Sequence, residues 1–186
     1  MVIDEQGRVY VAEMPDYPFK PEPDKARSRI RVLEDRDGEG RIDHATIFAD
    51  GLMEATSALP WKGGLIVCAA PDILYFKDTD GDQMADVREV LFTGFFDQNP
   101  EIQITNLRYG LDNWIYAGNF GQAGSIHSPR YPDLPPVEVQ GADFRFRLEP
   151  FRFEATEGPT QFGHDQDDWG HRLVTQNSAH ARHLVI

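Results

Sequence analysis

Two stretches of this chain place oxygen donors at alternate positions of a short turn. Asp35-Arg-Asp37-Gly-Glu39-Gly-Arg41-Ile-Asp43 and Asp78-Thr-Asp80-Gly-Asp82-Gln-Met84-Ala-Asp86 share the pattern D-x-D-G-[DE]-x-x-x-D. Calcium takes about six to eight hard oxygen ligands, and carboxylates at alternate turn positions suit it. The candidate ligands are Asp35, Asp37, Glu39 and Asp43 in the first loop and Asp78, Asp80, Asp82 and Asp86 in the second. Backbone carbonyls at Arg41 and Met84 would add to each set. Gly38 and Gly81, each fourth in its loop, let the chain wrap closely around an ion. Glu89 stands at the twelfth place of the second loop, where an EF-hand has its bidentate glutamate, but Thr46 takes that place in the first. Gln83 also stands where the sharp turn prefers glycine. The loops therefore read as calcium-type hairpin connections, not helix–loop–helix hands. Clustered carboxylates repel one another unless a cation neutralises them, so the expected role is structural.

The bulk composition agrees with clustered acid. Against 18 basic residues stand 31 acidic ones, a net charge of −13. A surface of that sign repels phosphate backbones and anionic lipid, which argues against nucleic acid as a partner. No run reaches the roughly 18 apolar residues of a membrane span. Cys68 is the single cysteine, so these residues hold no internal disulfide and no CxxCH haem site. Its apolar surroundings predict a buried thiol. The opening Met-Val-Ile-Asp-Glu-Gln-Gly-Arg lacks a basic-then-apolar leader pattern and reads as the turn before a strand.

The elements that carry the loops read as strands. Helical periodicity is nearly absent. Strand runs recur at 8–13, 29–34, 45–48, 65–70, 73–77, 87–92, 114–118, 143–148 and 172–176. Similar turns precede Val9, Leu65, Ile115 and Leu173, giving a repeat of roughly 50–58 residues. A repeat of that length holding about four strands is the mark of a β-propeller, and the acidic loops fall in step with it. The expected fold is all-β: a β-propeller domain over 1–186, truncated at both ends, with about three and a half blades here. The proline-rich stretch 128–136 reads as a surface loop inserted in the third blade.

Several segments together carry a resemblance. Tyr10-Val-Ala-Glu-Met-Pro-Asp-Tyr-Pro18, Arg29-Ile-Arg-Val-Leu-Glu-Asp-Arg-Asp-Gly38, Phe48-Ala-Asp-Gly-Leu52 and Ala70-Pro-Asp-Ile-Leu74 belong to it. So do Asp78-Thr-Asp-Gly-Asp82, Tyr109-Gly-Leu-Asp-Asn-Trp-Ile-Tyr116 and Asp167-Asp-Trp-Gly170. The chain resembles the membrane-bound dehydrogenase family of planctomycetes and verrucomicrobia, related to the glucose/sorbosone dehydrogenase propellers. The resemblance implies a propeller of about six blades in a periplasmic or extracellular, membrane-associated protein. It further implies a sugar or alcohol substrate, pyrroloquinoline quinone beside calcium, and a haem domain outside this segment.

The chain departs from those enzymes at the base. Soluble relatives of that kind use a histidine shortly before a Gly-Pro-Asp turn. The matching stretch here, Glu101-Ile-Gln-Ile-Thr-Asn-Leu-Arg-Tyr-Gly110, has Ile102 or Gln103 at that place, and neither takes up a proton near neutral pH. Two functions stay open: an oxidoreductase domain acting on a sugar or alcohol, and a non-catalytic, calcium-stabilised binding or scaffold module. Arg108 and Tyr109 either line the central channel, where they would bind a quinone or sugar, or pack against the next blade. His164 and His180 are the candidate bases among the C-terminal histidines, against a reading of His164 as a hydrogen-bonded surface group. His180 and His183, three apart in a strand, fall on opposite faces. Trp61, Trp114 and Trp169 are expected to pack in the blades.

Overall fold

The computed structural model describes residues 1–184. The described residues form antiparallel sheets in succession along the chain. The first sheet holds β1 (Val2–Ile3), β2 (Val9–Glu13), β3 (Ser28–Glu34) and β4 (His44–Leu52), each paired with the next. The second repeats that order with β5 (Ala55–Trp61), β6 (Gly64–Ala69), β7 (Asp72–Lys77) and β8 (Val87–Thr93). The third is built from β9 (Thr105–Tyr109), β10 (Ile115–Gly118), β13 (Asp143–Leu148) and β14 (Phe151–Thr156). A small hairpin, β11 (Ser125–Ile126) with β12 (Val137–Glu138), interrupts it between β10 and β13. The proline-rich stretch spans the turn of that hairpin. The fourth sheet has β15 (Gly163–Gln166), β16 (Arg172–Gln176) and β17 (Ala179–Leu184). A short 3₁₀ turn at Pro23–Lys25 lies between β2 and β3.

Packing between sheets explains why the second sheet is so apolar. Along β6, Leu65, Val67 and Ala69 face the first sheet, where they join Tyr10, Ile30, Val32 and Phe48. The alternate residues Ile66 and Cys68 face the third sheet and join Phe92, Ile115, Phe144 and Phe146. A strand buried on both faces needs apolar side chains at every position, and β6 is buried from Leu65 through Ala69. Aromatic rings fill the second interface: Phe92 lies 5.0 Å from Phe146, and Phe95 lies 4.9 Å from Phe144, centroid to centroid. Cys68 is buried there, and burial drives its thiol pKa upward.

The interface between the third and fourth sheets is polar instead. Asp143 and Arg172 are both fully buried and meet at 3.1 Å. Asp143 also accepts hydrogen bonds from the backbone N–H groups of Asn119 (3.1 Å) and Thr160 (2.9 Å) and from the Thr160 hydroxyl (2.5 Å). Arg172 donates to the Glu157 carbonyl at 2.9 Å. A buried charge is tolerated only with this degree of satisfaction.

First strands meet first strands. Ser57 on β5 accepts the Leu107 N–H of β9 at 2.9 Å, and the Tyr109 hydroxyl donates to the Pro60 carbonyl at 2.8 Å. Asn106 on β9 donates to the His164 carbonyl of β15 at 3.0 Å. Partners along β5 and β9 keep a separation of 49 or 50 residues, so the two strands run in the same direction. The hairpin turns β1–β2, β3–β4, β5–β6 and β7–β8 consequently lie at one end of the first strands. The connections between sheets lie at the other. The expected repeat is met: Val9, Leu65, Ile115 and Leu173 stand on β2, β6, β10 and β16, the second strand of each sheet.

Candidate functional site

The acidic loops close β3–β4 and β7–β8, the same hairpin in successive sheets. Their internal hydrogen bonds match position for position. Asp35 accepts the N–H groups of Gly38 (2.8 Å) and Gly40 (2.7 Å), and Asp78 accepts those of Gly81 (2.7 Å) and Gln83 (2.9 Å). At the far end Asp43 accepts the Arg36 N–H at 3.0 Å and Asp86 the Thr79 N–H at 2.6 Å. These donors hold the Asp35 and Asp86 carboxyls below their ordinary range: chiefly the Gly40 N–H for Asp35 and the Thr79 N–H for Asp86.

Three carboxylates in each loop converge, with ligand oxygens within 4.8 Å of one another: Asp35, Asp37 and Asp43, and Asp78, Asp80 and Asp86. Glu39 and Asp82 stand outside these two groups; Asp82 accepts the Met84 N–H at 2.8 Å. An all-oxygen set of carboxylates, exposed apart from the half-buried Asp78, fits a hard divalent cation. Gly38 and Gly81 take φ of +77° and +87°, as the wrap requires. Gln83 adopts φ +71°, where the first loop has Gly40 at +83°. Its side chain accepts from the Thr46 hydroxyl at 2.9 Å and donates to Glu34, and the Ala85 N–H donates to the Phe48 carbonyl at 2.8 Å. The second loop thus clamps its own sheet to the first.

A groove of about 450 Å³ runs over the meeting first strands. Its walls include Ser57, Asn106, Arg108, Tyr109, His164 and Asp165. Arg108 and Tyr109 sit together at the end of β9, both exposed. The Arg108 guanidinium lies 3.3 Å from the Asp165 carboxylate. Tyr109 keeps a half-exposed ring while its hydroxyl is tied to Pro60. Among the described residues Arg108 is the only Lys or Arg in the groove wall, and it faces a carboxylate. A quinone bearing three carboxylates asks for more positive charge than these residues supply, so they do not fit that group.

His164 corrects the surface reading. It is 4% exposed, on β15, with neither ring nitrogen hydrogen-bonded among the described residues. The ring packs near Tyr116, centroids 6.5 Å apart, and the Arg172 guanidinium lies 4.9 Å over that same tyrosine. Burial first, then the Arg172 charge, pushes the imidazole down to about 4. His180 is exposed, and His183 packs on His171 at 4.9 Å. Trp114 is buried and Trp61 packs edge-on against Tyr75, but Trp169 is 80% exposed at the β15–β16 turn, contrary to the packing expected of it. The sequence reading also passed over Glu54, a buried carboxylate that accepts a hydrogen bond from Gln103. Only its place just before β5 marks it, and a single sequence carries no signal for that.

No curated protein and no solved structure matches the chain. A family model does match, over residues 1–186, and the chain belongs to that family, a domain of unknown function (DUF7133).

Proposed function

We propose that the chain forms consecutive blades of a β-propeller that binds a sugar or alcohol in the groove over its first strands, with calcium held in the two acidic loops. The observation that carries the binding reading is the Arg108–Asp165 pair in the groove wall beside the half-exposed Tyr109 ring. A polyol presents hydroxyls that both donate and accept, together with apolar C–H faces. A guanidinium next to a carboxylate answers the first and an aromatic ring the second. The blade reading rests on the repeated four-stranded order and on first strands that meet in parallel. The calcium reading rests on the matched carboxylate groups, and millimolar calcium is a property of periplasmic and extracellular fluid.

Binding is favoured over oxidation by the state of the imidazole. A dehydrogenation needs a proton acceptor with pKa near the working pH. His164 is poorly basic and its ring nitrogens are sealed between sheets. The oxidising role implied by the resemblance, with its quinone and haem domain, would need a base other than His164 and cationic groups beyond those in the groove wall. Titration calorimetry of the protein with a panel of aldoses and polyols, in millimolar calcium, tests the reading. Heat of binding that disappears in Arg108→Ala and Asp165→Ala supports it. Absence of binding across the panel refutes it.

A further inference from the structure

A second cavity, about 570 Å³, opens at the other end of the first strands. Gln103, Gln161, Thr56 and Thr105 contribute to its wall, and Tyr17 and Glu101 stand on its rim. Among the described residues no Lys or Arg side chain lines it. Behind the wall lies the Glu54 carboxylate, 1% exposed, with Gln103 at 3%. Gln103 donates its amide N–H to one oxygen of Glu54. The other Glu54 oxygen, Oε1, and the Gln103 carbonyl oxygen, Oε1, are both buried and have no hydrogen-bond partner among the described residues. Glu54 also holds φ +33°, a conformation that non-glycine residues rarely adopt and that concentrates at functional sites.

We propose that Glu54 and Gln103 hold a small monovalent cation, an alkali ion or an ammonium group. Both unpartnered atoms are acceptors, so what completes the pair carries positive charge or donors. The Glu54 carboxylate supplies one formal negative charge and the Gln103 amide none, which matches a monocation. A calcium ion carries two positive charges, and this pair offers only one carboxylate to balance them. Position in the repeat adds weight. Gln103 follows Glu54 by 49 residues, the same step that separates Tyr109 from Pro60. Gln161 follows Gln103 as His164 follows Asn106, 58 residues on. The three side chains therefore occupy one level around the mouth, each just before a first strand, and each is buried.

Access to this mouth runs beneath a strap. The segment between β2 and β3 reaches across to the connection between the second and third sheets. The Tyr17 hydroxyl donates to Glu101 at 2.8 Å and Lys20 pairs with Asp97 at 2.6 Å, both at the surface. These exposed tethers hold the rim in place and leave the buried pair without a cation of its own.

The test is thermal unfolding and titration calorimetry of the protein at fixed ionic strength, with a chelator present to silence divalent ions. Potassium, sodium and ammonium chlorides are each compared with tetramethylammonium chloride, whose cation is too large for the pair. The expected result is a rise in midpoint of about 3–6 °C in at least one small-cation salt at tenfold excess over its dissociation constant. That rise is absent in Glu54→Gln, which keeps shape and loses charge. Gln103→Met keeps the carboxylate and shows a reduced rise, so a failure of one variant to fold leaves the other as a check. A response to ammonium alone points to an amine-bearing ligand, and a response to the alkali ions points to a bound metal ion; both support the site. Equal midpoints and no heat in all salts mean that a proton on Glu54 completes the pair, and that result overturns the proposal. So does an undiminished response in Glu54→Gln.

Discussion

Replacing His164 with leucine should remove acid sensitivity from the protein between pH 6.5 and about 4. In the fold the imidazole is held at about 4, against an ordinary value of 6.5, mainly because burial disfavours its charged form and secondarily because Arg172 repels it. The unfolded chain therefore takes up this proton first as pH falls below 6.5, and the folded protein does so only near 4. Stability is lost across that window and levels off below it. A displacement from 6.5 to about 4 corresponds to about 3 kcal/mol at ~1.36 kcal/mol per pH unit. That is a large share of the ~5–15 kcal/mol by which domains are stable. The Asp35, Asp86, Asp167 and Glu13 carboxyls, all held low in the fold, also favour unfolding in acid, but through lower pH and equally in both proteins. The difference between parent and variant isolates the histidine. Urea unfolding followed by fluorescence, repeated at intervals from pH 7 to pH 4, measures it. At neutral pH His164→Leu should match or exceed the parent, because two unpartnered buried nitrogens leave with the ring. The advantage of the variant should then grow to about 3 kcal/mol towards pH 4. Parallel curves for the two proteins would refute the account of His164 as a buried, neutral imidazole.

Asp143→Ala should cost about 3–5 kcal/mol, since it strands the buried Arg172 guanidinium and the Asn119 and Thr160 donors; thermal unfolding checks it, and Asp143→Asn should be milder. Gln83→Ala should cost about 1–2 kcal/mol by freeing Thr46 and Glu34 at the clamp between the first two sheets while leaving the +71° backbone in place. Adding millimolar calcium should raise the unfolding midpoint and a chelator should lower it; the double variant Asp35→Asn, Asp78→Asn should lose the response, and an unchanged midpoint in the parent would remove calcium from the picture. Gly64→Ala should destabilise by well over ~1 kcal/mol, because a Cβ there would sit 2.3 Å from the Phe76 carbonyl oxygen; a midpoint like the parent's would show that the β6–β7 hairpin can shift to admit it.

What the sequence revealed and what it hid divide along a physical line. Every run read as a strand falls on a strand: β2, β3 and β4 of the first sheet, β6, β7 and β8 of the second, β10 and β13 of the third, and β16 of the fourth. β6 reads as Gly-Leu-Ile-Val-Cys-Ala and β7 as Asp-Ile-Leu-Tyr-Phe-Lys because both their faces are covered. The first strands escaped notice, as did β14 and β17. Ala-Thr-Ser-Ala-Leu-Pro-Trp, Thr-Asn-Leu-Arg-Tyr and Gly-His-Asp-Gln carry neither an apolar run nor a clean alternation. They are edge strands: one edge pairs within the sheet, and the other meets the next sheet through side chains such as Ser57 and Asn106. Pro60 is tolerated in β5 for the same reason, since an edge strand can spare an N–H. The acidic loops were legible because carboxylates at alternate positions of one turn form a local pattern. The Glu54–Gln103 pair and the Arg108–Asp165 pair join residues 49 and 57 apart, and no local pattern announces them.

The first strands run between two ends of the sheets with different chemistry. At one end lie the hairpin turns: the acidic loops, the Lys62–Glu149 pair that links the second and third sheets, and the exposed Arg108, Tyr109 and Asp165. At the other lie the sheet-to-sheet connections, the Tyr17–Glu101 tether and the buried Glu54 and Gln103. The Lys62–Glu149 and Arg108–Asp165 pairs at the first end are exposed, so each can be exchanged for a small loss, as is usual for surface ion pairs. Glu54 and Gln103 at the second end are buried and incompletely partnered, and removing either one exposes the full cost of desolvating the other. If ligand binding in the groove and cation binding at the mouth are linked, the link runs along β5 and β9, which Glu54 and Gln103 precede at the mouth and the second of which ends on Arg108 and Tyr109 in the groove. Saturating the mouth with the preferred cation should then change sugar affinity in the parent and leave it unchanged in Glu54→Gln. The same affinity with and without the cation would mean that the two ends of the strands act independently.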